Sequence, residues 1–146
     1  MKDVNRFLSL GTYALAGVSR DPKKFGQVMF RDLRKKGMDV VPVNPAADTI
    51  DGVKCYRSVS ELPAGVKGVI FMTPKHETLT VAKEAIAHGI KDLWIQQGAE
   101  SKETIAGLEK EDVNLIHHQC IMMFWKPDGV HSFHRFLKKI IGRLPA

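Results

Sequence analysis

The sequence predicts an α/β fold in which helices cover both faces of a parallel sheet. Short apolar runs alternate with segments whose apolar residues recur at helical spacing, and the connections between them are short. The 146 residues, 44% hydrophobic and 26% charged, have the composition of one ordinary globular domain. No repeat, low-complexity tract or Pro/Ser-rich linker interrupts the chain, so we expect a single domain over residues 1–146.

The first strand–helix step follows a small apolar stripe that predicts a short N-terminal helix. Residues 12–18 form a short apolar run ended by Gly17, which predicts a buried strand. Asp21 and Pro22 predict the start of the next helix, because Asp caps helices and Pro is favoured at the first helical position. Gly37 predicts the end of that helix.

The same alternation continues through the rest of the chain. Thr73-Pro74 and Gly89 are the predicted breaks, and Ser101 is a predicted helix cap. In chain order we expect a strand at 38–43, a short one at 53–56, a strand at 66–72, a helix at 76–88, a strand at 91–96, a helix at 101–111 and a strand at 113–118. Right-handed crossovers make this pattern a three-layer, doubly wound, Rossmann-like fold.

In such a fold the ligand lies outside the carboxyl ends of the strands, near the point where strand order reverses. Five segments follow predicted strands and are therefore the candidate ligand-contacting segments. They are Gly17 to Lys24, Asn44-Pro45, Thr73-Pro74, Gln96 to Gly98, and His118 to Cys120.

The loop "AGVSRDPKKFGQ" at residues 16–27 contains the ingredients of an anion site. It matches neither G-x-G-x-x-G nor the Walker loop. Gly17 permits a tight turn, Ser19 and basic side chains are available, and the following helix presents free N–H groups. The alternative, an ordinary loop with solvated lysines, stays open on spacing alone.

The end of the second predicted strand argues against an NAD site. Such a site needs an acidic residue there to bind the ribose hydroxyls, and this chain has Asn44-Pro45 instead. A neutral Asn can bind ribose or adenine without repelling a phosphate on that ribose. Asp48 and Asp51 follow in a predicted loop and remain open as substitutes.

Several of these stretches together resemble a known family. "GVSRDPKKFGQ", "VVPVNPAADTIDGVKCYRSVSELP", "VIFMTPKHE", "DLWIQQGAES" and "HHQCIM" occur in the order seen in small stand-alone CoA-binding proteins. Those proteins are similar to the CoA-binding N-terminal domain of the succinyl-CoA synthetase α subunit. The resemblance runs from about residue 10 to residue 123. It implies a Rossmann-like sheet of five main parallel strands that binds CoA, or an acyl-CoA, through its ADP half.

The resemblance also implies a set of cofactor-binding residues. One group would contact the phosphates, the next would lie beside the adenosine, the third would flank the nucleotide and the last would line the pantetheine side. These groups are Gly17, Val18, Ser19, Arg20 and Lys24; Asn44 and Pro45; Thr73, Pro74 and Lys75; and Gln96, Gln97 and Gly98. Cys120 is a further candidate near the pantetheine arm, because it lies at the carboxyl end of a predicted strand. The chain departs from the family at His118-Gln119, where Asp-Arg is common, and in its C-terminal extension.

Catalytic and metal chemistry is weakly encoded. His117, His118 and Cys120 form H-H-x-C, but strand alternation predicts that adjacent histidines point to opposite faces, and no second cluster completes a tetrahedral set. Cys120 is interpreted as structural, with redox or thioester chemistry as the alternative. We therefore expect non-catalytic binding of CoA, with an NAD(P)-dependent oxidoreductase on the same fold as the alternative.

The charge and the absence of a long apolar run limit the ligands and the location that we expect for the protein. The net charge of +6 favours a polyanionic small ligand, and the scattered basic residues do not predict a nucleic-acid binder. No apolar run is long enough to span a membrane, so we expect a cytoplasmic protein. A homo-oligomer stays open as an alternative to a monomer. Residues 130–146 predict an amphipathic helix that packs on its own domain or on a second copy.

Overall fold

The computed structural model describes residues 3–125, which form a five-stranded parallel sheet covered by helices on both faces. This confirms the predicted fold class. In chain order the strands are β1 (Thr12–Ala16), β2 (Asp39–Val43), β3 (Thr49–Ile50), β4 (Val53–Lys54), β5 (Gly68–Phe71), β6 (Asp92–Gln96) and β7 (Asn114–Gln119). The helices are α1 (Val4–Leu8), α2 (Phe25–Lys35), α3 (Lys75–Ala87) and α4 (Lys102–Glu109), with 3₁₀ turns at Val59–Glu61 and Ile121–Met123.

The strand order of the main sheet is β2-β1-β5-β6-β7. β2 lies on one side of β1, at one edge of the sheet. β5, β6 and β7 follow one another on the other side of β1. Right-handed crossovers therefore place α2 on one face and α3 and α4 on the other. The order reverses between β1 and β5, which is where this kind of sheet opens a crevice for a ligand.

Two apolar cores fill the spaces between the three layers. Strand residues alternate between them, since neighbouring side chains of a strand point to opposite faces. The α2 side is built around Phe7, Tyr13, Leu15, Phe30 and Trp94, and the α3–α4 side around Ala14, Phe71, Ala82, Ile95 and Leu108, all at most 1% exposed. Both cores keep the strand ends at fixed positions.

The predicted start of α2 is wrong. Asp21 does not cap this helix, which begins at Phe25 with Lys24 as its N-terminal flanking residue. The Asp21 carboxylate instead accepts a hydrogen bond from the backbone N–H of Lys23 (2.9 Å), and the Ser19 hydroxyl oxygen accepts one from the N–H of Asp21 (3.0 Å). These side-chain turns extend the loop, because Asp and Ser bind backbone two residues ahead as readily as they cap a helix.

The short strand predicted at 53–56 is found, but it belongs to a separate hairpin. β3 and β4 pair antiparallel with each other. An isolated parallel bridge between Val43 and Tyr56 connects this segment to β2 of the main sheet. The hairpin therefore lies beside the carboxyl end of β2.

The helix predicted at 130–146 lies outside the described residues. Within residues 3–125, no helix combines the length and apolar character required to cross a bilayer.

Candidate functional site

Gly17 brings two strand ends into close backbone contact at the carboxyl edge of the sheet. Its φ of +92° lies in the left-handed region. A Cβ at this position would lie 2.6 Å from the carbonyl carbon of Met72 and 2.7 Å from the backbone nitrogen of Thr73. Only glycine fits both the conformation and the space. The loop after β1 and the segment after β5 are thereby held against each other at the reversal point.

The rest of the β1–α2 loop is fixed by buried residues and presents exposed basic ones. A Cβ on the buried Gly26 would lie 3.0 Å from the carbonyl oxygen of Gly17, so the first turn of α2 packs directly on the loop. The buried Gln27 amide donates to the carbonyl oxygen of Ser19 over 3.0 Å. Arg20, Lys23 and Lys24 are exposed, whereas the Val18 side chain is fully buried. Of Val18, only the backbone can face a ligand.

Asn44 joins this loop to the end of β2. Its side-chain amide donates to the carbonyl oxygen of Val18 over 2.7 Å, and its amide oxygen accepts from the N–H of Ala46 over 2.7 Å. The Asn44 side chain is thus a structural bridge between the two loops, a role that the sequence did not reveal. Pro45, beside it, is exposed.

A cleft of about 240 Å³ opens at the ends of β1, β2 and β5. Gly17, Pro45, Thr73 and Pro74 from the predicted set all line it. Its other lining residues are Ala16, Val43, Arg57, Ser58, Val59, Glu77, Val81 and Glu84. The sequence analysis missed Arg57, whose guanidinium donates to the carbonyl oxygen of Pro45 (3.1 Å) and to the carboxylate of Asp48 (2.7 Å).

Thr73 lines the cleft, but its hydroxyl is already hydrogen-bonded within the protein. Its side-chain oxygen lies 2.7 Å from that of Thr78, and both residues are buried. The Thr78 hydroxyl also approaches the carbonyl oxygen of Pro74 at 3.2 Å. Thr73 and Pro74 are therefore rigid wall residues, while Lys75 begins α3 and is exposed.

The three residues at the end of β6 differ in exposure: Gln96 is buried, Gln97 is partly buried and Gly98 is exposed. Gln96 is buried, and its side-chain oxygen accepts from the N–H of Ile121 over 3.0 Å. The backbone N–H of Gln97 donates to the carbonyl oxygen of Gln119 (3.2 Å), but its side-chain oxygen is buried without a hydrogen-bond partner among the described residues. Gly98 has a φ of +98°, and its N–H donates to the Glu100 carboxylate over 3.2 Å.

A second cleft, of about 460 Å³, lies further along the same edge between the starts of α3 and α4. Two of its lining residues are candidates from the sequence: Lys75 belongs to the expected cofactor-binding set, and His118 belongs to the last candidate segment. The others, which the sequence did not point to, are Glu100, Ser101, Lys102, Ile105, Ala106 and Glu109. His118 Nε2 is 4.0 Å from the Glu100 carboxylate.

The prediction that His117 and His118 point to opposite faces is wrong. β7 carries one extra residue relative to β6 between the pairs Trp94–Ile116 and Gln96–Gln119, and His118 has a φ of +60°. This bulge breaks the two-residue alternation. The two imidazole rings contact each other at an interplanar angle of 71°, with their Nδ1 atoms 2.6 Å apart. No set of three or more His, Cys, Asp or Glu side chains in residues 3–125 is placed to hold a metal ion.

Cys120 is a buried thiol, 3% exposed. Burial raises its pKa, an effect that a hydrogen bond with Gln96 only partly offsets. Burial likewise raises the pKa of the Cys55 thiol. Since the thiolate is the reactive form, both cysteines favour the structural interpretation over nucleophilic chemistry.

Two other clefts, of about 430 and 540 Å³, lie at the opposite edge of the sheet. Arg6 lines both clefts, and its Nε atom is 2.9 Å from Oδ1 of Asp92, which lines the first of them. They sit at the amino ends of the strands. Ligands of open parallel sheets bind at the carboxyl ends instead, so size alone does not make these clefts the ligand site.

Comparison with protein families shows to which family this arrangement of strand ends belongs. A family model described as a CoA binding domain matches residues 11–126. The chain belongs to the CoA-binding domain family. This confirms the resemblance seen in the sequence motifs and covers all the strand ends described above.

Relatives of this CoA-binding domain include both long and short proteins. It is 35% identical over 111 residues to the α subunit of an ADP-forming acetate–CoA ligase II from Pyrococcus furiosus, covering 71% of this chain but 23% of the subunit. It is 26% identical over 108 residues to the uncharacterized protein YneT of Bacillus subtilis, covering 74% of this chain and 80% of YneT. The chain thus spans about a quarter of the ligase subunit and most of YneT.

Solved structures show the same fold. A conserved hypothetical protein from Pyrococcus furiosus superposes with a TM-score of 0.73 at 49% identity, over 76% of this chain and 96% of that one. The dinucleotide-forming acetyl-coenzyme A synthetase 1 of Ca. Korarchaeum cryptofilum, in complex with phosphate and ADP, superposes with a TM-score of 0.68 at 28% identity. That match covers 79% of this CoA-binding domain and 27% of the synthetase.

Proposed function

We propose that the protein binds CoA or an acyl-CoA through its ADP and diphosphate moieties, as a non-catalytic carrier or sensor of the cofactor. The observation that carries this proposal is the family match over residues 11–126, which includes every strand end of the carboxyl edge. The geometry supports it with a glycine-dependent loop, a helix start and a cleft at one place.

The diphosphate is assigned to the β1–α2 loop. Gly17 lets this loop pack directly against the end of β5 at the reversal point, and it lines the cleft there. α2 starts at Phe25, and helix starts attract anions through free N–H groups and the helix dipole. Ser19, Arg20 and Lys24 then supply a hydroxyl and exposed positive charge.

The adenosine is assigned to the 240 Å³ cleft beside Pro45. The cleft walls are mostly apolar side chains and rigid prolines, which suit an aromatic base. Asn44 shapes the wall by tying the loop after β2 to Val18. Arg57 adds a guanidinium at the cleft, held in place by Pro45 and Asp48.

The oxidoreductase alternative lacks support from these residues. The end of β2 presents Asn44 where an NAD site would present a carboxylate. Asp48, a possible substitute, is ion-paired with Arg57 at 2.7 Å. Asp51 is exposed in the turn of the β3–β4 hairpin. Neither Asp48 nor Asp51 lines the adenosine cleft, so neither replaces the missing carboxylate at the end of β2. The carboxylates that do line the cleft, those of Glu77 and Glu84, come from α3 and not from the end of β2.

Calorimetric titration with CoA, 3′-dephospho-CoA, NAD and NADP at one salt concentration tests the proposal. CoA is expected to bind tightest, because exposed basic side chains favour its 3′-phosphate. The end of β2 also carries Asn44 in place of the carboxylate that would repel a phosphorylated ribose. Dephospho-CoA should bind detectably more weakly and NAD most weakly. The salt must be fixed, since exposed charges are screened.

Tight binding of NAD or NADP without a response to CoA would overturn the proposal and favour the oxidoreductase alternative. Mass spectrometry of ligand released from freshly purified protein gives an independent check, in which CoA or an acyl-CoA is expected. Turnover of an acyl-CoA by the isolated protein would contradict the non-catalytic role while leaving the binding site in place.

A further inference from the structure

Arg57 is the one cation among the described residues that line the cleft at the ends of β1, β2 and β5. It directly follows the bridge that joins Tyr56 to Val43, so its backbone is attached to the end of β2. The Arg57 side chain is 53% exposed, which leaves its guanidinium accessible to a ligand in the cleft. The family resemblance implies no role for this residue.

Two acceptors on the loop after β2 hold the Arg57 guanidinium in one orientation. Nη1 donates to the carbonyl oxygen of Pro45 over 3.1 Å, and Nη2 donates to Oδ1 of Asp48 over 2.7 Å. A guanidinium has five N–H groups, so three remain for a ligand. Because the side chain is already ordered, a ligand that binds these groups loses little affinity to side-chain ordering. Arg57 is therefore a preorganised anion-binding group.

The Asp48 carboxylate orients Arg57 without occupying the cleft. Its side chain is 85% exposed, and Asp48 is not among the residues that line the cleft. Water and salt screen such an exposed pair, so its attraction does not prevent the guanidinium from binding a second anion. The hydrogen bond from Arg57 to Asp48 also raises the pKa of Arg57, which keeps the guanidinium charged.

The two walls of the cleft differ in charge. Arg57 and the neighbouring Ser58 belong to the segment after β4, whereas the carboxylates of Glu77 and Glu84 belong to α3. A phosphate is attracted to the wall that carries the cation and repelled from the wall that carries two carboxylates. The hydroxyl and amino groups of a nucleoside are donors that carboxylates accept. An adenosine with a phosphate on its ribose therefore has one favoured orientation, with the phosphate toward Arg57.

The nucleotide half of CoA carries two separate anionic groups, the 5′-diphosphate and the 3′-phosphate, on one ribose. The diphosphate is assigned to the β1–α2 loop, whose Gly17 lines one end of the same cleft. The 3′-phosphate then lies inside the cleft with the adenosine, where Arg57 supplies the positive charge. A guanidinium can donate two parallel hydrogen bonds to one phosphate, so the two groups match in geometry as well as in charge.

We propose that Arg57 binds the 3′-phosphate of CoA and is the residue that distinguishes CoA from 3′-dephospho-CoA. This proposal rests on the proposed function. It assigns the preference for a 3′-phosphate to one side chain instead of the general positive charge of the protein. Asp48 is a positioning residue, since it contacts Arg57 and does not line the cleft.

Calorimetric titration of the 146-residue protein with CoA and 3′-dephospho-CoA at one salt concentration tests the assignment. Arg57→Gln is expected to weaken CoA binding at least about fivefold, as for the loss of charge-assisted hydrogen bonds at a partly exposed site. Binding of dephospho-CoA should stay nearly unchanged. Arg57→Lys keeps the charge but not the planar pair of donors, so its loss should be intermediate. Adenosine 3′,5′-bisphosphate and adenosine 5′-monophosphate should show the same difference without the pantetheine arm.

Lys54→Gln is the matched control, because it removes one positive charge from an exposed residue of the same hairpin that does not line the cleft. It should leave the preference for CoA in place, and an equal loss in this variant overturns the proposal in favour of general charge. Equal weakening of both ligands by Arg57→Gln, or unchanged CoA affinity in the folded variant, also overturns it.

The wild-type protein separates this proposal from the proposed function. Equal binding of CoA and dephospho-CoA overturns the role of Arg57 while leaving CoA binding intact. Binding of neither ligand overturns the proposed function itself, and the role of Arg57 with it.

Discussion

At the scale of the residue, Gly17 combines two constraints that can be separated by experiment. Its φ is +92°, and a Cβ would meet the backbone of Met72 and Thr73 at 2.6–2.7 Å. Gly11 has a similar φ of +97° but open space around it. Replacing either glycine by alanine incurs the cost of a left-handed conformation, about 1–2 kcal/mol. Only at Gly17 does overpacking add about 1–3 kcal/mol.

Gly17→Ala is therefore expected to lower the free energy of unfolding clearly more than Gly11→Ala, measured by urea denaturation. It should also weaken CoA binding, because the β1–α2 loop must move away from the end of β5. Equal losses of stability in the two variants would show that the close approach to Met72 is relieved at little cost.

Lys24 is a second residue whose role can be isolated. It is exposed, precedes the first turn of α2 and caps nothing with its side chain. Lys24→Glu should weaken CoA binding at least about tenfold, because loss of a charge-assisted contact is worth about 1.5–3 kcal/mol and repulsion adds to it. Calorimetric titration at fixed salt measures this.

Lys35→Glu is the control for Lys24→Glu, since it makes the same change of charge on an exposed lysine in the last turn of the same helix. It should leave CoA affinity nearly unchanged. Unchanged affinity in a folded Lys24→Glu variant would place the diphosphate elsewhere, with Arg20 or Lys23 as the next candidates.

At the scale of the element, the ends of β1 and β2 behave as one unit because Asn44 bonds both. Asn44→Ala leaves the carbonyl oxygen of Val18 and the N–H of Ala46 without their 2.7 Å partners. The expected loss is about 1–3 kcal/mol of unfolding free energy, the usual cost of an unpaired, partly buried group. Chemical denaturation measures it, and CoA titration should show weaker binding as the loops separate.

Pro45→Ala is the control for Asn44→Ala, because it changes a neighbouring residue of the same loop without removing the Asn44 hydrogen bonds. Pro45 is exposed, and its carbonyl oxygen, which accepts a hydrogen bond from Arg57, is retained in Pro45→Ala. It should change stability much less than Asn44→Ala. If Asn44→Ala leaves both stability and CoA affinity intact, the two loops are positioned by the sheet alone.

The helices and strands were predictable where the hydrophobic periodicity agreed with the capping and breaking residues. They were not predictable where a side chain could form either of two local hydrogen bonds. Gly37 ends α2 with a φ of +88°, and the Ser101 hydroxyl oxygen accepts from the N–H of Thr104, as their sequence positions predict. Asp21 could cap a helix or close a turn, and it closes a turn. The bulge at His118 left no signal in the strand pattern, because polar residues at an edge strand obscure alternation.

At the scale of the whole molecule, the sheet order brings the predicted strand ends to one edge, but it divides them between two clefts. Pro45 and Thr73 border the first, and Lys75 and His118 border the second. Sequence position could identify residues that follow strands, because carboxyl ends of parallel strands share an edge. It could not identify Arg57 or Glu100, whose places depend on how a hairpin and a helix start fold back over that edge.

The last prediction concerns residues 131–146, which follow the described part of the chain. Trp125 directs the chain to the α2 side, since its indole N–H donates to the carbonyl oxygen of Lys36 and its ring meets Tyr13. Beyond it, the sequence places apolar residues at i, i+3, i+4, i+7 and i+8 of one helical face. These residues are Phe133, Phe136, Leu137, Ile140 and Ile141. Such a stripe requires burial.

Removal of residues 131–146 is expected to lower the melting temperature or to cause aggregation, because each large apolar side chain that becomes exposed, or loses its partner, costs about 1.5–3 kcal/mol. Ile140→Asp should reproduce the effect in the full-length chain, while Lys138→Asp, off the stripe, should not. Thermal melts and light scattering measure both. A truncated protein that melts unchanged, together with a full-length protein that floats with liposomes, would instead make the segment a membrane-surface helix.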